Sequence, residues 1–137
     1  MPVTPLTVTE AYAAQCEGAT FIDVRSSIEF AEGHPAGAIN VPLLEADEDN
    51  GQMMPNPDFV RVMKTNFVAG TRLLVGCRSG ERSGRAAQML EVFGFSSVTN
   101  VLGGFLAWEP AGLPINTSAP EGRGYAELLA TADACEE

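Results

Sequence analysis

The sequence has no apolar run that approaches the roughly 20 residues needed to cross a bilayer. Residues 1–5 lack the basic cluster and the apolar core of a secretory signal. The chain has three cysteines, Cys16, Cys77 and Cys135, without CxxC spacing, and one histidine, His34. This scarcity argues against a disulfide framework and against a structural zinc site. We therefore expect a cytoplasmic protein with no metal, no cofactor and no membrane partner.

Basic residues are also scarce. Eight Lys and Arg residues face 18 Asp and Glu residues, so the formal net charge is −10 and the pI is near 4.4. Such a chain is not attracted non-specifically to nucleic acid or to anionic membranes. Half of the basic residues nevertheless lie close to Cys77 in the sequence, namely Arg72, Arg78, Arg82 and Arg85. This local cationic cluster predicts a small anionic ligand. The negative net charge of the whole chain predicts that it has no nucleic-acid partner.

A length of 137 residues fits a single domain. We expect this domain to cover residues 1–115 and a C-terminal tail to cover residues 116–137. The tail is rich in small and polar residues, but Tyr125, Leu128 and Leu129 have helical spacing. A short helix in the tail is therefore expected to pack back on the domain.

Short strands alternate with helices along the chain. The strands are predicted from β-branched and aromatic runs that glycine, proline or charged residues bound. They cover residues 20–24, 38–41, 72–76 and 97–102. The acidic stretch 45–51 has no apolar periodicity and predicts a solvated loop. Alternation of strands and helices predicts an α/β fold with a mainly parallel sheet, whose sites lie at the carboxyl ends of the strands.

Capping residues predict where the helices begin. Capping boxes start at Thr7 and Ser26, and Asn56 followed by Pro57 at the first helical position predicts a third helix. Ser83 is predicted to cap a fourth helix. Apolar residues at helical spacing predict the buried face of that fourth helix, which consists of Ala86, Met89, Leu90 and Phe93.

Cys77 lies where a predicted buried strand ends and a loop leads into a helix. Backbone N–H groups of residues 78–83 can surround the sulfur as an anion nest, and the helix dipole points its positive end the same way. Both effects lower the pKa of a thiol and favour the nucleophilic thiolate. Arg78 and Arg82 add charge and donors for an oxyanion, and Gly80 allows a positive φ at the turn.

The length of this loop distinguishes two reactions. Phosphatases of the cysteine type place an arginine six positions after the cysteine, and that position is Ser83 here. Arg82 lies one position too early, which gives a smaller loop suited to a single sulfur atom. In the sulfur reaction the thiolate attacks the outer sulfur of a donor such as thiosulfate and later passes the sulfur to a thiophilic acceptor. Glu81 partly offsets the charge of the two loop arginines.

Three segments, in this order and spacing, resemble the signatures of the rhodanese family. They are residues 23–42, the loop 77–83, and residues 102–114 with Leu102-Gly103-Gly104-Phe105 and Gly112-Leu113-Pro114. The resemblance implies a three-layer α/β fold with a central, mainly parallel five-stranded sheet and helices on both faces. It also implies a thiosulfate sulfurtransferase that forms a cysteine persulfide. Its donor would be thiosulfate or a similar small anion, and its acceptor would be cyanide, a small thiol or a thioredoxin-like protein.

The resemblance and the loop chemistry together assign roles to individual residues. Cys77 is predicted to be the nucleophile and the sulfur carrier. The predicted substrate-binding residues are the rest of its loop: Arg78, Ser79, Gly80, Glu81, Arg82 and Ser83. Asp23 and Arg25 alternate across a strand and are predicted to form an ion pair that supports the loop. His34 has no ligand partner at metal spacing, so we expect it to make a structural hydrogen bond.

Other functions stay open at this point. The chain could be a binding or sensing module that keeps the scaffold without turnover, although an intact Cys77 favours catalysis. It could also be a phosphatase or an arsenate reductase if the spacing argument is wrong. Mercaptopyruvate is a possible donor, but the arginines of the loop favour thiosulfate.

Overall fold

A computed structural model of the chain describes residues 5–46 and 50–134. Within these ranges the helices are α1 (Val8–Cys16), α2 (Ser27–Glu32), α3 (Phe59–Asn66), α4 (Glu81–Val92), α5 (Gly104–Trp108) and α6 (Tyr125–Ala134). The strands are β1 (Thr20–Asp23), β2 (His34–Pro35), β3 (Ile39–Asn40), β4 (Leu44–Ala46), β5 (Met53–Pro55), β6 (Leu73–Gly76), β7 (Val98–Asn100) and β8 (Ile115–Asn116).

The central sheet has the strand order β3-β1-β6-β7, and all of its pairs are parallel. The predicted α/β fold with a parallel sheet is therefore confirmed. The predicted number of five strands is wrong, because this sheet contains four. Leu6 makes a single parallel bridge to Val101 at the edge. The next residue, Thr7, already caps α1, so the bridge does not continue past Leu6 toward α1.

Helices cover both faces of the sheet. Ile22 and Val75 belong to a buried cluster with residues of α3, α4 and α6. Their neighbours Phe21 and Leu74 point to the opposite face and pack in a second cluster with α1 and Trp108. This alternation follows from the two-residue period of a strand. Burial of each large apolar side chain contributes about 1.5–3 kcal/mol, so the two clusters hold the sheet between its helices.

Two small antiparallel ribbons flank the sheet, β2 with β8 and β4 with β5. The second ribbon corrects the prediction of a solvated loop over residues 45–51. Glu45 pairs with Met54, because backbone hydrogen bonds join β4 and β5, and such bonds do not require apolar periodicity. The predicted loop also includes residues 47–49, which lie outside the described residues.

Two predicted helix starts are wrong. α3 begins at Phe59, because the Asn56 side-chain oxygen accepts a hydrogen bond from the Asp58 N–H at 3.0 Å and forms a turn before the helix. α4 begins at Glu81, after Gly80 in a left-handed conformation, so Ser83 lies inside the first turn. The prediction of burial is also wrong for two residues of α4 or its end. Ala86 and Leu90 are buried as predicted, whereas Met89 and Phe93 are exposed.

The tail packs back on the sheet layer through α6, which lies against α3. Leu128 is buried there, and the Tyr125 hydroxyl accepts a hydrogen bond of 2.8 Å from the Asn56 side-chain amide. The division into a domain of residues 1–115 and a tail of residues 116–137 stays a prediction. Among the described residues, no helix combines the length and the apolar character that a membrane crossing requires.

Candidate active site

Cys77 directly follows β6, an inner strand that pairs with β1 on one side and β7 on the other. The chain then turns within residues 78–80 and enters α4 at Glu81. The carboxyl end of an inner parallel strand and the amino end of a helix therefore meet at the sulfur. Only 2% of the Cys77 surface is exposed, so the loop itself surrounds the thiol.

The loop supplies hydrogen-bond donors to this sulfur. The Gly80 N–H donates to Cys77 Sγ at 3.0 Å, and Ser83 Oγ lies 3.4 Å from the same sulfur. Burial on its own raises the pKa of the Cys77 thiol. Hydrogen bonds from the Ser83 hydroxyl and from the backbone of Ser83, Gly80 and Ser79 outweigh burial, so the net pKa of Cys77 is lowered. The geometry thus favours the thiolate more than an unperturbed cysteine would.

Gly80 makes this arrangement possible. Its φ of +112° lies in the left-handed region, which is accessible to glycine without steric cost. This turn brings the N–H of Gly80 back toward the cysteine that precedes it by three residues. Gly84 N–H then donates to the Gly80 carbonyl at 3.0 Å, which continues directly into α4.

Asn100 completes the hydrogen-bond network around Ser83, although it is not among the site residues predicted from the sequence. Its side-chain oxygen lies 2.6 Å from Ser83 Oγ, and its side-chain nitrogen lies 3.4 Å from the Gly80 carbonyl. Asn100 is the last residue of β7 and pairs in register with Val75. One signal in the sequence could have identified Asn100: it is a polar residue at the carboxyl end of a predicted strand, where the sites of such folds lie.

Gly104 supports the other side of the loop. The Phe105 N–H donates to the Cys77 carbonyl at 2.8 Å, and the Leu106 N–H donates to the Arg78 carbonyl at 3.0 Å. Gly104 has a φ of +51°, and a Cβ on it would contact the Cys77 carbonyl oxygen and lie 2.7 Å from the Arg78 carbonyl oxygen. The sequence places this glycine in the segment 102–114 but does not predict its close contact with the Cys77 loop.

The loop arginines differ in their environment. Arg82 forms a two-pronged ion pair with Glu29, with distances of 2.7 and 3.1 Å. The hydrogen bond from Arg82 lowers the pKa of Glu29 to about 2, and the same pair raises the pKa of Arg82. Arg78 is exposed, and no ion pair joins it to another described residue. Glu81, which is also exposed, lies in the first turn of α4.

Two of the predicted supporting residues, Asp23 and Arg25, lie at the carboxyl end of β1, the strand that pairs with β6. Asp23 and Arg25 form the expected ion pair, at 2.8 Å, and both side chains are buried. Arg25 also donates to the Gly33 carbonyl at 2.6 Å, and its guanidinium lies 4.5 Å from the centre of the Phe105 ring. These contacts connect the end of β1 to the turn after α2 and to α5. They therefore join the elements that surround the Cys77 loop.

His34 is fully buried. Its Nδ1 lies 2.8 Å from the Phe30 carbonyl oxygen, and its ring stacks on the Phe30 ring with 3.6 Å between the centres. His34 therefore makes a buried hydrogen bond, and its structural role stays a prediction. Over residues 5–46 and 50–134, no group of three or more His, Cys, Asp or Glu side chains is arranged to hold a metal ion.

Comparison with known proteins identifies a common family. The sequence profile of the rhodanese-like domain matches residues 7–111. Thiosulfate sulfurtransferase 16, chloroplastic, of Arabidopsis thaliana is 38% identical over 109 residues, which are 80% of this chain and 89% of that protein. The senescence-associated protein DIN1 of Raphanus sativus is 39% identical over 98 residues, which are 72% of this chain and 52% of that protein. This chain thus spans about half the length of the radish protein.

The fold also matches solved structures. The crystal structure of a rhodanese-like domain protein from Staphylococcus aureus has a TM-score of 0.63 with this chain, at 25% sequence identity. The match covers 83% of this chain and 99% of the other.

Proposed function

Since the chain belongs to the rhodanese-like domain family and is a sulfurtransferase of the rhodanese type, we propose that it takes sulfane sulfur from thiosulfate. The sulfur would be carried as a persulfide on Cys77 and passed to cyanide or a thiol. The observation that carries this proposal is the set of hydrogen bonds on Cys77 Sγ at the junction of β6 and α4. The donor named for the Arabidopsis relative supports the choice of thiosulfate.

The first half of the reaction loads the cysteine. The Cys77 thiolate attacks the outer sulfur of thiosulfate, a new S–S bond forms, and the original S–S bond breaks with its electron pair on the departing sulfite. The lowered pKa of the Cys77 thiol supplies the nucleophile without a general base. The persulfide is itself an anion, so the N–H donors of the loop that stabilise the thiolate can also stabilise it.

The second half unloads the cysteine. A nucleophilic acceptor attacks the outer sulfur of the persulfide, and the S–S bond to Cys77 breaks, which regenerates the thiolate. Cyanide becomes thiocyanate in this step, and a thiolate becomes a persulfide. A thioredoxin-like protein would use its own thiolate in the same way.

The two loop arginines have different proposed roles. Arg78 attracts the anionic donor, because its charge is not offset by an ion pair with another described residue. The charge of Arg82 is offset by Glu29, so Arg82 holds α2 against the start of α4. This pairing also argues against a phosphatase, which requires a free arginine over the bound phosphate. Ser79, Gly80 and Ser83 contribute their N–H groups.

The direct test is sulfur loading followed by mass spectrometry of the intact protein. Incubation with thiosulfate is expected to add one sulfur atom to the wild-type chain and to Cys16→Ser, and none to Cys77→Ser. Cys16 is the matched control because it is a free and exposed cysteine. Equal loading of Cys77→Ser would show that the carrier is wrong.

Turnover separates an enzyme from a sensing module. Thiocyanate production from thiosulfate and cyanide is expected for the wild-type chain and absent for Cys77→Ser. A chain that loads but never turns over would be a carrier or sensor.

Parallel kinetics with mercaptopyruvate test the choice of donor. The proposed cytoplasmic location is tested by fractionation, since the Arabidopsis relative is named as chloroplastic.

A further inference from the structure

The Ser83 hydroxyl has a single proton to donate but several acceptors within reach. Its Oγ lies 2.6 Å from the Asn100 side-chain oxygen, 3.2 Å from the Gly80 carbonyl oxygen and 3.4 Å from Cys77 Sγ. The contact with Asn100 is slightly shorter than the usual O–H···O distance of about 2.7–2.8 Å. The sulfur and the Asn100 oxygen therefore compete for the same proton.

The surrounding hydrogen bonds determine which end of the Asn100 amide faces Ser83. The amide nitrogen lies 3.4 Å from the Gly80 carbonyl oxygen, which also accepts the Gly84 N–H at 3.0 Å. The opposite orientation would place the amide oxygen against this carbonyl oxygen, and neither atom can donate. Asn100 thus presents an acceptor to Ser83, at a position that the pairing of β7 with β6 determines.

The charge on the sulfur decides which acceptor is stronger. A thiol sulfur accepts hydrogen bonds weakly, so Ser83 donates to Asn100 while Cys77 is protonated. A thiolate is a charged acceptor, and hydrogen bonds to charged groups are roughly twice as strong as neutral ones. In a persulfide the negative charge lies on the outer sulfur, so Cys77 Sγ is again a weak acceptor. Rotation of the O–H about the Cβ–Oγ bond of Ser83 exchanges the two partners without moving Oγ.

We propose that Asn100 is a positioning residue that holds the Ser83 proton while Cys77 is a thiol or a persulfide and releases it to Sγ when Cys77 is a thiolate. The O–H bond of Ser83 stays intact, and the thiol proton of Cys77 leaves to solvent on ionisation. The hydroxyl returns to Asn100 when sulfur is loaded and turns toward Sγ when the S–S bond breaks. The persulfide part of this inference rests on the proposed function, whereas the exchange between thiol and thiolate does not.

Charged groups also act on the sulfur, and none of them changes in the variants below. Arg82 of α4 has its pKa raised first by Glu29 of α2 and also by the sulfur. Arg78 belongs to the loop itself, and Asp23 and Arg25 form their ion pair at the end of β1. The adjoining elements β7 and α5 contain no charged residue. A shift caused at Asn100 therefore reports the hydroxyl and not an altered ion pair.

The test measures the pH midpoint of Cys77 alkylation by iodoacetamide, followed by mass spectrometry of the peptide that contains Cys77. Asn100→Leu keeps nearly the same shape but removes the competing acceptor. We expect it to lower the midpoint by about 0.4–1 pH unit, which corresponds to the net strength of one neutral hydrogen bond. In the Ser83→Ala background there is no hydroxyl to release, so the same change is expected to give no such decrease. The comparison of backgrounds subtracts the effect of a more apolar side chain.

Thr99→Val is the matched control on the same strand. Thr99 pairs with Leu74, whose side chain packs in the cluster on the α1 face of the sheet. Successive residues of a strand point to opposite faces, so Thr99 faces away from the side of Asn100. This variant is expected to keep the wild-type midpoint.

Sulfur transfer gives a second readout. At a pH well above both midpoints, Asn100→Leu is expected to load from thiosulfate about 1.5- to 3-fold more slowly, because the nucleophilicity of a thiolate falls with its pKa. Its persulfide is expected to be discharged faster by cyanide, because a thiolate of lower pKa leaves faster. A purely structural role of Asn100 would slow both steps.

Equal shifts of the midpoint with and without the Ser83 hydroxyl would overturn the role of Asn100. A rise that occurs only when the hydroxyl is present would overturn it too, because Asn100 would then only press the hydroxyl toward the sulfur. If Asn100→Leu does not fold, Asn100→Asp decides, since its carboxylate accepts more strongly. Its midpoint is expected to rise more with Ser83 present than in Ser83→Ala, and an equal rise would refute the exchange. Failure to load with thiosulfate would instead refute the proposed donor, and the midpoints would still test Asn100.

Discussion

Replacement of Gly104 by alanine is expected to damage both stability and the Cys77 loop. A φ of +51° costs a residue with a Cβ about 1–2 kcal/mol. The new Cβ would also press on the carbonyl oxygens of Cys77 and Arg78. Relief of such an overlap costs about 1–3 kcal/mol. The expected loss in the free energy of unfolding is therefore about 2–5 kcal/mol, less than the total stability of most domains.

Gly112→Ala is the matched control. Gly112 also has a positive φ, +74°, but a Cβ there would meet no atom within 4 Å. We expect it to lose only the backbone cost of about 1–2 kcal/mol. Urea denaturation measures both variants, and sulfur loading of the folded fraction measures the loop. Gly104→Ala is expected to load more slowly because the hydrogen bond from Phe105 to Cys77 shifts. Equal losses of stability in the two variants would refute the steric part of this reasoning.

The Cys77 pKa and the Arg82 ion pair give two more predictions. Ser83→Ala removes a donor to Cys77 Sγ, so the pH midpoint of Cys77 alkylation is expected to rise. Ser79→Ala is the control, because it keeps its backbone N–H and is expected to leave this midpoint unchanged. An unchanged midpoint in Ser83→Ala would contradict the role of the hydroxyl. The pKa of Glu29 is lowered to about 2 in the folded chain, whereas that of an unfolded Glu is roughly 4.3. The ion pair with Arg82 therefore stabilises the folded chain fully above the unfolded pKa. This stabilisation is lost as the pH falls through about 2. Glu29→Gln is therefore expected to lose about 1 kcal/mol at pH 7, reduced by solvent screening, and to approach wild-type stability in acid denaturation series toward pH 2.

Local patterns in the sequence determined much of this molecule. The capping boxes at Thr7 and Ser26 start α1 and α2 as predicted, because each box involves residues only three positions apart. Buried runs of β-branched residues determined the parallel strands. Cys77 could therefore be placed at the end of a strand from the sequence alone, since that position depends only on its neighbours along the chain.

The tertiary structure decided which groups surround Cys77. Glu29 has a local role in capping α2 that the sequence shows, but its ion pair with Arg82 joins residues 53 positions apart. Asn100 reaches Ser83 because parallel pairing brings the ends of β6 and β7 together. Gly104 approaches the Cys77 carbonyl because α5 packs against the loop. Spacing along a chain carries no information on such contacts, since they exist only after distant segments have packed.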